Sequence, residues 1–96
     1  MTLGKKIKEL REANSMLQKE LATHLCVGDT FLSKIENDQK LLKREHLIKL
    51  SLLFNYPLLE LEKLWLASKI NDLIKNEEAG ISALKYVEDQ TAEQEI

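Results

Sequence analysis

Apolar residues recur every three or four positions along most of this chain, the period of helices that bury one face. Leu3, Ile7 and Leu10 stand at i, i+4 and i+7 and predict a first helix, with Thr2 as its N-cap and an end near Asn14. Gln18 to Leu25 predicts a short second helix that turns Leu21, Ala22 and Leu25 inward. Cys26-Val27-Gly28 reads as a tight connection, after which a third helix from Asp29 to about Asn37 buries Leu32 and Ile35. The polar run Asn37-Asp38-Gln39-Lys40 is a turn, and a fourth helix from Lys43 to Asn55 faces Leu47, Leu50 and Phe54 inward. Pro57 ends it, because the residue before a proline avoids helical geometry. From Leu58 to about Asn76 the pattern is helical again and unusually rich in Leu, Ile and Trp. Gly80 interrupts, and Ile81, Leu84 and Val87 predict a last helix running into a polar tail.

Composition supports an all-α reading. The 96 residues include only 3 Gly and 1 Pro, while strong helix formers dominate. That length suits a single core. Cys26 is the one cysteine, which leaves no intramolecular disulfide and no thiolate cluster. Lys5 and Lys6 come too early for a secretory leader, and no apolar run approaches the roughly 18 residues of a membrane span, so a cytoplasmic protein without a membrane partner is expected.

The net charge of −2 conceals an asymmetry. Residues 1–49 carry 10 Lys/Arg against 7 Asp/Glu, a balance of +3, and residues 50–96 carry 4 against 9, a balance of −5. A mildly basic half suits a surface that meets DNA, with an acidic half directed away from it.

The most specific stretch runs from Leu17 to Asn37. Two short helices crossing steeply need a small residue at their closest approach, and Ala22 supplies it. They also need apolar locks, which Leu21, Leu25, Val27, Leu32 and Ile35 provide. In order, Ile7…Leu10-Arg11-Glu12, Gln18-Lys19-Glu20-Leu21-Ala22, Leu32-Ser33-Lys34-Ile35-Glu36-Asn37 and Leu47-Ile48-Lys49-Leu50 resemble the signature of the Cro/CI-type, or xenobiotic-response-element, helix-turn-helix family. The resemblance covers about 60% of the chain, from Leu3 to about Leu61.

The resemblance implies a five-helix, lambda-repressor-like DNA-binding domain over residues 1–66, followed by a helical extension over residues 67–96. It further implies that the third helix enters the major groove of double-stranded DNA. Gln18 would meet a phosphate at the start of the second helix, and Asp29, Thr30, Ser33 and Lys34 would face base edges. Asn37 and Lys40 would touch the DNA backbone again, while Arg11 and Glu36 would form a structural ion pair. Asp29 could instead complement the helix dipole, and Phe31 could meet a thymine methyl or pack along the rim.

Three positions depart from the family pattern. Cys26 stands where a left-handed Gly is usual, which implies a strained or reshaped turn. Gly28 replaces the usual Ser or Thr cap, and Asp38 replaces a Gly and places negative charge near the backbone contact.

The leucine-rich end carries more apolar residues than one helix can hide on a small core, so a partner surface is expected. Leu61, Trp65, Leu66, Ile70 and Leu73 are the expected dimerisation residues, with Trp65 the anchor; the competing arrangement folds the segment after Gly80 back over them. The expected function is sequence-specific transcriptional regulation by a homodimer on a (pseudo)palindromic operator. The family's small restriction–modification controllers and phage-type repressors are similar. The alternative is a protein-interaction module or antitoxin of the same fold with weak or no DNA binding. His24 and His46 lack metal-ligand spacing, and there is no Gly-rich phosphate loop or nucleophile elbow. No catalysis, cofactor, metal or small-molecule ligand is therefore expected.

Overall fold

The computed structural model describes residues 1–94, which form six helices. They are α1 (Leu3–Ala13), α2 (Gln18–Leu25), α3 (Asp29–Glu36), α4 (Arg44–Phe54), α5 (Leu58–Ile74) and α6 (Gly80–Gln94). α1 packs on α3 and α5, α2 on α3 and α4, and α4 on α5. The core is an aliphatic cluster at the centre of α1–α5. Ile7, Leu21, Leu25, Leu32, Leu47, Leu50 and Leu61 are all but sealed from solvent.

Each of the first four helices ends in the same way. The chain takes one left-handed residue, at Ser15, Cys26, Asp38 and Asn55, and none of these is glycine. The next residue then donates its N–H to the carbonyl five positions back: Met16 to Arg11, Val27 to Ala22, Gln39 to Lys34 and Tyr56 to Ser51. This closure satisfies carbonyls that a helix end leaves unpaired. Cys26, at φ 58 and ψ 41, therefore holds the left-handed turn geometry despite its side chain.

Asp38 shows how one such position is made worthwhile. Its Oδ1 accepts from the Gly4 N–H at 3.1 Å and its Oδ2 from the Thr2 hydroxyl at 2.7 Å. Thr2 Oγ1 in turn accepts from the Lys5 N–H at 3.1 Å, as an N-cap should. The end of α3 is thereby tied to the start of α1. Gly4 is required at this junction for space, because a Cβ there would stand 2.4 Å from the Ile35 carbonyl and 2.9 Å from that of Glu36.

α5 runs unbroken through residue 66, where the family pattern places a domain boundary. Two expected dimerisation residues are also relocated. Leu61 (0% exposed) and Trp65 (6% exposed) belong to the protomer's own core. The Trp65 indole N–H donates to the Leu42 carbonyl at 2.7 Å, closing the loop between α3 and α4, and the Arg44 guanidinium lies 4.7 Å from the ring centroid. The core needs a large residue with a polar edge at this point, and Trp65 supplies both.

α6 includes the residues expected to form a polar tail and stays helical to Gln94. It does not fold back over α5, since Leu66, Ile70 and Leu73 remain exposed. The radius of gyration, 15.4 Å, exceeds the about 13 Å of a compact chain of this size, as an outstanding helix would make it.

Two consequences for stability can be measured. Gly4→Ala forces backbone against backbone and should cost more than about 2 kcal/mol in denaturant unfolding. Replacing a left-handed residue by glycine should split by site: Cys26→Gly relieves strain and gains up to about 1 kcal/mol. Asp38→Gly removes two capping contacts along with the strain and should be neutral or destabilising.

Candidate nucleic-acid interface

α2 and α3 are joined by the Cys26–Gly28 turn, and the core side of α3 is held by Leu32 and Ile35. Its opposite side is polar. Asp29, Thr30 and Lys34 are exposed and Ser33 is half-buried, so the four expected groove residues share the outward face of one rigid helix. Lys34 and Lys40 have no carboxylate within ion-pair distance among the described residues, which leaves both charges open to an external anion.

Gly28 begins α3 at φ −75 and ψ 155 without a side-chain cap, and a Cβ built on it would meet nothing within 4 Å. The first turn of α3 thus opens directly to solvent. Asp29 lies in that turn, where a carboxylate complements the helix dipole. Asn37 is exposed, but its side-chain amide donates to the Ser33 carbonyl at 2.8 Å and so terminates α3.

Beneath this face lies a charged network. Arg11 Nε donates to Glu36 Oε2 at 2.8 Å and Nη2 to Oε1 at 3.1 Å, a two-pronged pair joining α1 to α3. A further Arg11 nitrogen donates to the Met16 carbonyl at 2.8 Å. Glu36 is 5% exposed, and its carboxylate holds the Arg11 guanidinium in its charged form beyond the usual range. Gln18 completes the set by donating its side-chain N–H to Glu36 Oε1 at 3.0 Å. That bond holds the Gln18 side chain from below at the start of α2.

The geometry adds residues that the sequence pattern does not single out. Lys43, Glu45, His46 and Lys49 line a recess of about 430 Å³ together with Val27 and Phe31. They bring the start of α4 beside the turn of the helix pair. A helical period gives no hint of this, because the charges come from a different helix.

A family model described as a helix-turn-helix domain matches residues 4–72, a span that holds the helix pair and the network beneath it. The chain belongs to the Cro/CI-type helix-turn-helix family. It is 42% identical over 55 residues to the HTH-type transcriptional regulator ImmR of Bacillus subtilis (strain 168), a match covering 57% of this chain and 43% of that protein. The chain thus spans less than half the length of that curated relative. No solved structure matches it. The family is one of DNA-binding transcriptional regulators, and its match extends over all of α2–α4 and most of α1 and α5.

Within this helix-turn-helix frame, two departures from the family pattern acquire physical readings. Cys26 keeps the expected backbone at a conformational cost, and Asp38 turns its negative charge toward the α1 N-terminus. Among the described residues no helix is long and apolar enough to cross a membrane.

His46 offers a pH test of the recess. Its Nδ1 accepts from the Lys43 N–H at 3.2 Å, capping α4, and burial pushes its pKa below the usual value, reinforced by Lys49 and Lys43 and opposed by Glu45. The folded state then binds fewer protons than the unfolded one, so stability rises with pH. Thermal unfolding should occur at lower temperature as pH falls below about 6.5, and His46→Gln should flatten the profile there.

Proposed function

We propose that this chain is a sequence-specific transcriptional regulator that binds a (pseudo)palindromic operator as a homodimer. α3 is inserted in the major groove of each half-site. The observation carrying this reading is the α3 face itself: Asp29, Thr30, Ser33 and Lys34 point outward from a helix braced by the part-buried Arg11–Glu36–Gln18 network. A surface with that bracing presents hydrogen-bonding groups at fixed positions, as base readout requires.

Lys34 acts as a donor to guanine, with Thr30 and Ser33 beside it. Gln18, Asn37 and Lys40 meet the sugar-phosphate backbone on either side and set the register. The stripe of Leu66, Ile70 and Leu73 on α5 joins two copies, spacing the recognition helices about 34 Å apart, one turn of DNA. Restriction–modification genes are one class of target that this reading admits. A pure protein-interaction module, by contrast, has no use for uncompensated lysines on α3 and in the loop after it.

Binding to duplex containing the protein's own upstream region tests the proposal. Lys34→Ala should weaken the preferred site by about 1–3 kcal/mol and relax specificity at one base position. Lys40→Ala should weaken all sequences alike and reduce the salt slope by about 1. Equal affinity of the wild-type protein for that region and for random duplex at physiological salt overturns the reading.

A further inference from the structure

Two apolar stripes are left bare in the protomer, and they lie on different helices. On α5, Leu59, Leu66, Ile70 and Leu73 are exposed on the side away from the core. Their spacings of seven, four and three residues make a narrow seam of the kind that receives another helix. On α6, Ile81, Leu84 and Val87 stand at i, i+3 and i+6 and are also exposed.

α6 has little inside its own protomer to hold it. It has 15 residues and no substantial packing against any other helix. An isolated helix of that length is marginal in water, so α6 depends on an apolar partner. Its own α5 seam is not that partner in this structure. A Cβ on Gly80 would stand 2.5 Å from the Ile74 carbonyl, so the chain passes hard against the end of α5 as it enters α6. That contact fixes the direction in which α6 leaves.

Charge selects among the remaining arrangements. α6 carries Lys85 against Glu88, Asp89 and Glu93, a balance of −2, so pairing with another α6 brings like charges together. α5 with its C-cap is balanced, with Lys63, Lys69 and Lys75 against Glu60, Glu62 and Asp72. Lys63 stands seven residues before Ile70, in line with the seam, where its Nζ pairs with Glu60 at 2.8 Å. Lys69, three after Leu66, holds its Nζ 3.8 Å from the Trp65 ring centroid, so α5 offers a neutral surface rather than a like-charged one. Pairing α5 with α5 alone would leave both α6 stripes in water.

We propose that two copies exchange arms, the apolar face of α6 from each packing on the α5 seam of the other. This rests on the homodimer in the reading above and names the surface that completes it. One twofold arrangement then covers both stripes and sets acidic α6 against a helix of balanced charge instead of another acidic one.

The test is disulfide trapping in a Cys26→Ser background. Ile70→Cys and Leu73→Cys on α5, and Ile81→Cys and Leu84→Cys on α6, are oxidised singly and in every pairwise mixture. The native mass of the wild-type protein is measured at tens of micromolar. Arm exchange requires an α5 variant to link to an α6 variant in at least one mixture, at a yield about tenfold or more above either variant alone, because a disulfide needs Cα atoms within about 7 Å. Self-linking of a single α5 or α6 variant at comparable yield overturns arm exchange and leaves the homodimer standing. A dimer mass with no cross-link in any mixture does the same. A monomer mass with no cross-link overturns both.

Discussion

What the helix pair presents rests first on one part-buried ion pair. Arg11 and Glu36 lie twenty-five positions apart in sequence and meet through two hydrogen bonds, so α1 and α3 hold a fixed relation. Burying two charges is costly, and such a pair adds little net stability over well-packed apolar residues. Its importance lies in the penalty for breaking it, since a lone charge left in the core costs about 3–5 kcal/mol. No buried side-chain nitrogen or oxygen among the described residues lacks a partner, so the network is complete. Gln18 and the Met16 carbonyl add one further hydrogen bond each and bring the α1–α2 turn and the start of α2 under the same constraint.

A second closure lies just beyond the same, C-terminal end of α3. Asp38 bonds to Thr2 and Gly4, and Gly4 lets α1 approach the carbonyls of Ile35 and Glu36. α3 is consequently pinned near its C-terminal end to elements distant in sequence, while its outward face holds the fold only through the Asn37 cap and the Asp29 carboxylate at the helix dipole. The residues that hold this eight-residue helix are therefore different from those it exposes.

Some of this is legible in the sequence and some is not, for physical reasons. α2 is readable to the residue, because Gln18 and the Cys26 turn bound a short period with three inward positions. The left-handed geometry of Cys26 and the placement of Arg11 against Glu36 come from position in a recognised pattern. Asp38 misleads, since its charge looks exposed while the groups it caps lie more than thirty positions away. Leu61 and Trp65 read as outward because hydrophobicity counts apolar residues without saying which side of α5 each occupies. The last turns of α6 look like a tail, because their polar residues carry no apolar period. On α3 the pattern locates the outward residues, but Lys43, His46 and Lys49 come from α4 and its N-cap and leave no local trace there.

The chain holds a single tryptophan, and its position turns it into a gauge. The Trp65 ring touches the loop after α3 through Leu42 and lies beneath Arg44 and Lys69, whose Nζ sits 3.8 Å from the ring centroid. Indole emission responds to neighbouring charge and to the strength of the N–H hydrogen bond. The same ring therefore adjoins the loop that carries Lys40 and the helix that carries the apolar seam. Occupancy of either surface can be followed from its light alone, without a label.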